Sequence, residues 1–264
     1  MQCPEIISLP SLVSLLEKLA PPQAAAPWDN SGLQVIGERQ EIKRLAVALD
    51  PTPQIINQAL AFDADFILSH HPLLFAPAYL NEDTPYTRIV RRLMRAGVHL
   101  YSAHTSLDGE PQGPVRWLAK ALRLKDLTTL EPLAPESPYG FGFFGNLPAR
   151  LGFDAFIKEL REVLAANRVN VCGERPAEVL KVACCPGSGS SMWPQAKKLG
   201  ADVLITGDVK YHTALDTELC LLDVGHFALE EEMMRQFAAE LQQELAGVEV
   251  RFFAAADPIE PYII

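Results

Sequence analysis

Apolar residues recur along this chain with two alternating periods. Leu12, Leu15, Leu16 and Leu19 share one face of a helix that Pro21-Pro22 must stop. A turn-rich segment, Pro27-Trp28-Asp29-Asn30-Ser31-Gly32-Leu33, follows. Positions 44–49 then read as a buried strand ending at Asp50, 53–62 as a helix, and Phe66-Ile67-Leu68 as a strand running into Ser69-His70-His71-Pro72. A helix over 84–96 leads to a strand over 98–103, which ends in His104-Thr105-Ser106-Leu107-Asp108, and a helix covers 115–122. Positions 130–145 are rich in proline and glycine and mark the best boundary between two halves. Beyond it the pattern resumes. A helix carries Phe153, Phe156, Ile157, Leu160 and Leu164, and a strand over 179–184 enters Pro186-Gly187-Ser188-Gly189-Ser190-Ser191 and a helix to 199. A strand over 203–206 ends in Gly207-Asp208, and one over 219–224 ends in Gly225-His226. A helix over 227–245 and a strand over 248–253 follow.

Strands alternating with helices imply an α/β fold with largely parallel or mixed sheets, whose sites form beyond the carboxyl ends of strands. His70, His71, His104, Asp108 and His226 all fall at such ends. An internal repeat is also visible. Asp63-Ala64-Asp65-Phe66-Ile67-Leu68-Ser69-His70 resembles Gly200-Ala201-Asp202-Val203-Leu204-Ile205-Thr206-Gly207, and His104–Asp108 and His226–Glu230 share the same spacing. We read two related α/β halves, 1–128 and 129–264, facing a shared cleft.

Composition narrows the class of function. A formal charge of −10 argues against binding nucleic acid through its phosphates. The one dense basic cluster, Arg88, Arg91, Arg92 and Arg95, has the spacing of a wet helix face. The start, Met1-Gln2-Cys3-Pro4-Glu5, lacks the features of a signal peptide, and no stretch is long and apolar enough to cross a bilayer, so the expected location is the cytoplasm. Five cysteines without a Cys-x-x-Cys pair speak against a disulfide framework or a thiolate zinc site.

The candidate chemistry rests on histidines and carboxylates. Adjacent side chains on a strand point to opposite faces, so His70 and His71 need either two metals side by side or a sharp bend at Pro72. Glu230 lies on one helical stripe with Met233, Met234, Phe237 and Leu241, and His226 joins it at i−4. A carboxylate on an apolar stripe costs several kcal/mol, on the order of a buried-ion penalty, unless a cation pairs with it. Glu231, Glu232, Arg235 and Gln236 fall on the other faces and read as solvated charge. His70, His71, Asp108, His226 and Glu230, with His104 and His212 close in the pattern, are nitrogen and oxygen donors suited to zinc, iron, manganese or cobalt. With a bridging carboxylate they could hold two metals about 3.5–4 Å apart. His99, at the start of a strand, reads as structural.

The ordered set Trp28-Asp29-Asn30-Ser31-Gly32-Leu33, Ser69-His70-His71-Pro72, Ala103-His104-Thr105-Ser106-Leu107-Asp108, Thr206-Gly207-Asp208 with Tyr211-His212, and Gly225-His226 with Glu230 resembles the Nif-three-like dinuclear metal-centre proteins. Bacterial members of that family are labelled GTP cyclohydrolase I type 2 homologues. The resemblance covers nearly the whole chain, in the short bacterial form. It implies two intertwined α/β repeats, with the C-terminal strand as a candidate to return to the first, and a ring-shaped homohexamer. It implies that His70, Asp108 and Glu230 bind one metal while His71, His226 and a bridging Glu230 bind the other, two divalent ions per chain. His104, Asp208 and His212 would contact substrate or move protons. The expected activity is metal-dependent hydrolysis of a small molecule, with a nucleotide such as GTP as the candidate. A non-catalytic metal-binding or regulatory interaction protein is the competing class. One departure stands out: the family's Gly-Gly-Val-Asn stretch after Asp108 is replaced here by Gln112-Gly113-Pro114-Val115-Arg116, which bears on a substrate contact. The loop 186–191 runs from strand to helix, so its amides could cradle a phosphate or form a plain tight turn.

Overall fold

The apolar run at 44–49 forms the strand Arg44–Ala48 in the computed structural model, which describes residues 6–166 and 168–260. The N-terminal stretch 1–5, with Cys3, lies outside the described residues. Two compact units divide the chain: the described parts of Met1–Leu107 and Met234–Ile264 form one, and Asp108–Met233 forms the other.

The first unit is built on a five-stranded sheet ordered Glu249–Phe252, Arg44–Ala48, Phe66–Ser69, His99–Ser102, Gly32–Val35. The first three pairings are parallel and Gly32–Val35 closes the edge antiparallel. Phe66–Ser69 and His99–Ser102 are buried throughout, as expected of parallel strands covered on both faces. Helices Pro53–Ala61 and Pro85–Ala96 pack on this sheet through Ile56, Ala59, Ile89 and Leu93, which join Ala46, Ile67 and Leu100 in one core. Their starts were legible in the sequence. Thr52 and Thr84 accept hydrogen bonds from the backbone N–H three residues on, and a proline occupies each first turn. Gly97, in the left-handed region at φ 66°, ends the second helix. Arg88, Arg91, Arg92 and Arg95 lie on its exposed face, with Asp83 paired to Arg88 at 2.8 Å.

The second unit carries a six-stranded mixed sheet ordered Lys125–Pro132, Gly140–Gly152, Glu178–Cys184, Val203–Thr206, Cys220–Asp223, Asn170–Cys172. Its last four strands repeat the order and direction found in the first unit: parallel, parallel, then an antiparallel edge. The likeness reaches atomic detail. Oδ2 of Asp65 accepts from the backbone N–H groups of Lys43 and Arg44 (2.7 and 2.9 Å), and Oδ2 of Asp202 accepts from those of Leu180 and Lys181 (both 2.8 Å). The preceding turn takes positive φ at Asp63 (59°) and at Gly200 (79°). The Ala-Asp pairs that mark the sequence repeat therefore tie each central strand to its neighbour.

Residues 130–145, rich in proline and glycine, lie largely in a hairpin of long antiparallel strands, Lys125–Pro132 and Gly140–Gly152. The glycines permit close approach of backbones. A Cβ on Gly140 would sit 2.4 Å from the Glu131 carbonyl oxygen, and one on Gly145 would sit 2.9 Å from that of Lys125. The helix expected over 115–122 starts as a 3₁₀ turn, Pro114–Arg116, before Trp117–Ala121. No helix among the described residues is long and apolar enough to cross a membrane.

Candidate metal centre

In the first unit, the strand Phe66–Ser69 ends one residue before His70, and the backbone then abandons its alternation. The N–H groups of both His70 and His71 donate to the carbonyl of Leu49 (3.1 and 3.0 Å), whereas in a regular strand successive N–H groups point apart. Ser102 Oγ donates to the His70 carbonyl (2.6 Å) and Ser69 Oγ to that of His71 (2.8 Å), which fixes the bend. The two rings consequently lie side by side, centroids 5.0 Å apart. A bend is therefore present at His70-His71 rather than at Pro72, and it brings the two rings together without bearing on how many ions they hold.

His104, two residues beyond the strand His99–Ser102, joins them. Its ring centroid is 5.1 Å from that of His70 and 5.5 Å from that of His71, and the three residues offer ring nitrogens within 4.8 Å of one another. Each ring is oriented through Nδ1. His70 Nδ1–H donates to the Ala103 carbonyl (2.8 Å), His71 Nδ1–H to Asp50 Oδ1 (2.8 Å) and His104 Nδ1–H to Asp29 Oδ1 (2.7 Å). Asp29 is held on all sides: its carboxylate also accepts from Ser31 Oγ, Thr105 N and Thr105 Oγ1. Burial by itself would raise its pKa, but the hydrogen bonds from His104, Ser31 and Thr105 together hold it well below the usual carboxylate range.

In the second unit, the helix His226–Glu244 begins where the strand Cys220–Asp223 ends. The stripe read from sequence is buried, with Glu230, Met233, Met234, Phe237 and Leu241 all at 3% exposure or less. Glu231, Glu232 and Gln236 are half-buried rather than solvated, and Arg235 is exposed. His226 Nε2 lies 2.8 Å from Glu230 Oε2, one helical turn away, and its Nδ1 lies 2.7 Å from Asp208 Oδ2. The hydrogen bond to Glu230 is the main cause that pushes the His226 pKa up to about 9 against the opposing effect of burial, with Asp208 adding to the rise. Asp208 adopts the left-handed region (φ 51°), which Asp tolerates better than most residues, and accepts from Ser188 Oγ at 2.9 Å. Burial opposes, but the bonds from His226 and Ser188 hold the Asp208 carboxyl below its ordinary value.

The loop 186–191 acts as a tight turn against these residues. A Cβ on Gly187 (φ 62°) would lie 2.6 Å from Glu230 Oε1 and 3.6 Å from the His226 ring. Gly207, which takes the place of His70 in the repeat, has no room for a side chain: its Cβ would fall 2.5 Å from the His226 backbone nitrogen. Asp108, half-buried at the end of the helix Thr105–Asp108, lies near enough to Cys185 to raise its thiol pKa together with Glu230, burial being the larger cause. His212 stands apart in character. It is exposed on the short helix Tyr211–Asp216, with its ring against Tyr211 at 5.5 Å.

Sequence reasoning missed Asp50 and the orienting role of Asp29. Both sit in segments it had marked, one at a strand end and one in the turn-rich stretch, but nothing local paired them with a histidine. His99 is structural as read: it is fully buried, its Nδ1 accepts from Gly37 N–H (2.9 Å) and its Nε2–H donates to the Arg39 carbonyl (2.7 Å).

These residues fit a divalent metal ion. Ligating histidines characteristically give their other ring N–H to a carboxylate or carbonyl, which sets the tautomer that leaves Nε2 as the metal-facing nitrogen. His70, His71, His104 and His226 all carry that arrangement at Nδ1. The Glu230 carboxylate that raises the His226 pKa is a charge that a dication would neutralise.

Comparison with known proteins agrees with the fold and the motifs. The family model for Duf34/NIF3 (NGG1p interacting factor 3) matches residues 7–258. A Clostridium perfringens protein named "GTP cyclohydrolase 1 type 2 homolog" is 30% identical over 260 residues, covering 97% of this chain and 99% of its own. "NIF3-like protein 1" of Drosophila melanogaster is 29% identical over 90% of this chain and 82% of its own. The crystal structure of a Staphylococcus aureus hypothetical protein superposes with a TM-score of 0.86 at 26% identity, covering 97% of this chain and 99% of that one. This α/β chain belongs to the Duf34/NIF3 family.

Proposed function

We propose that this protein is a metal-dependent hydrolase acting on a nucleotide or related small molecule, with His70, His71, Asp108, His226 and Glu230 holding two divalent ions. The observation that carries the reading is that His70, His71 and His104 in the first unit, and His226 bonded to the buried Glu230 in the second, are all oriented through Nδ1. When bound, such an ion supplies Lewis acidity and lowers the pKa of a water it binds. The chain's own residues do the rest. Asp50, Asp29 and Asp208 fix the rings of His71, His104 and His226. His104 keeps a proton at Nδ1 against Asp29 and presents Nε2 for a metal or a substrate proton, and His212 is reserved for substrate contact at the surface. The name carried by the Clostridium relative supports GTP as the first substrate to try.

Metal-loaded protein incubated with GTP should release formate and form a fluorescent pterin product, and His71→Ala should abolish both. Equal traces from the two proteins overturn the GTP reading. Stoichiometric metal without turnover across a panel of nucleotides favours the non-catalytic, regulatory class instead. By the same resemblance we propose a homohexamer, for which light scattering should give six times the monomer mass.

A further inference from the structure

Trp28 and Phe75 are left 64% and 57% exposed in the first unit. Scattered exposed apolar side chains are ordinary, but these two touch each other and the same site histidine. Their ring centroids are 6.2 Å apart, and the His104 ring is steeply inclined to both, at 6.0 Å from Trp28 (69°) and 5.6 Å from Phe75 (63°). They come from different segments, the turn at 27–33 and the stretch after His71-Pro72. Asn30 ties the two together by donating from Nδ2 to the Leu74 carbonyl at 2.6 Å. That bond holds the two segments together while both side chains stay more than half exposed.

We propose that Trp28 and Phe75 form an aromatic platform that takes a planar nitrogen heterocycle of the nucleobase class and sets it beside His104. The proposal deepens the hydrolase reading and rests on it for the fate of that ring. Flat π-faces open to solvent stack on planar rings of any base, since every base has a π-face. An aromatic cage for a quaternary ammonium instead surrounds the cation on several sides. Two rings inclined at 51°, each more than half exposed, make an open platform and not a cage. Trp28 and Phe75 would therefore determine specificity, leaving the chemistry to the histidines and carboxylates.

The test is calorimetric titration of guanosine and of ribose 5-phosphate into the metal-loaded wild type, Trp28→Leu and Phe75→Leu. Guanosine should bind the wild type and lose about tenfold in affinity in each variant, the scale of one lost stacking contact. Ribose 5-phosphate binding, metal content and melting temperature should not move. Absence of guanosine binding to the wild type, unchanged affinity in both variants, or an equal loss for ribose 5-phosphate overturns the platform. So does a change in oligomeric mass in the variants, which would make the pair a subunit interface. The same titration on His71→Ala separates the two readings. Guanosine affinity that persists there, and falls when Trp28 or Phe75 is also replaced, supports the platform even if no nucleotide is ever turned over.

Discussion

Asp29 and His104, 75 residues apart, meet in a 2.7 Å hydrogen bond between Oδ1 and Nδ1, while the second Asp29 oxygen accepts from Thr105 and Ser31. The carboxylate stays ionised because these donors outweigh the effect of burial. Asp29→Asn keeps the shape but removes the charge that fixes the imidazole tautomer. Activity should fall by roughly 10–100-fold, the scale for loss of an orienting partner. Formate release by the metal-loaded variant measures it, and a rate within twofold of wild type would contradict the role.

Gly187→Ala should damage the donors of the second unit. The new Cβ would lie 2.6 Å from Glu230 Oε1, and φ of 62° is disfavoured for alanine by about 1–2 kcal/mol. Because Glu230 is buried and bonded to His226, it cannot turn aside without abandoning its partner. Metal content by elemental analysis should drop while the circular dichroism spectrum is retained. Full metal loading in the variant would refute this account.

Asp65 and Asp202 should prove equivalent in kind and unequal in size. Replacing either with Ala strips an acceptor from two backbone N–H groups. Each buried donor left unsatisfied costs about 1–3 kcal/mol. Asp65 is the more buried and also pairs with Arg39 at 2.6 Å, so Asp65→Ala should lower the urea midpoint more than Asp202→Ala. The reverse order would show that the repeat is geometric only.

Alkaline pH should weaken the first unit through Tyr101. The side chain is 2% exposed, and burial, with a smaller contribution from the Glu17 charge, pushes its pKa from 10.0 up to about 12. A pKa raised in the folded state means the native protein holds its proton more tightly than the unfolded chain. The associated stability is therefore complete below pH 10 and is lost as pH rises toward 12. Thermal unfolding across that window should fall less steeply for Tyr101→Phe than for wild type; parallel curves would assign the loss to another group.

Local chemistry made much of this molecule legible. The helix starts at Thr52 and Thr84 and the buried strands 44–48 and 66–69 follow from spacing, caps and apolar runs that act within one or two turns of chain. The repeat was visible because Ala-Asp before a strand does the same backbone work at Asp65 and Asp202. The stripe carrying Glu230 followed from helical period alone. The strands at 125–132 and 140–152 were not legible, since glycine permits close strand pairing as readily as a loop, and only the partner strand decides which.

What the sequence could not fix are contacts between atoms distant along the chain. That His71 answers to Asp50, His104 to Asp29 and His226 to Asp208 depends on which strands lie side by side. That His70 and His71 face the same way depends on the Leu49 carbonyl, which draws both N–H groups to one side. The residue types able to hold a metal are written in the chain; the orientation of each ring is set by hydrogen bonds that exist only once the sheets have formed.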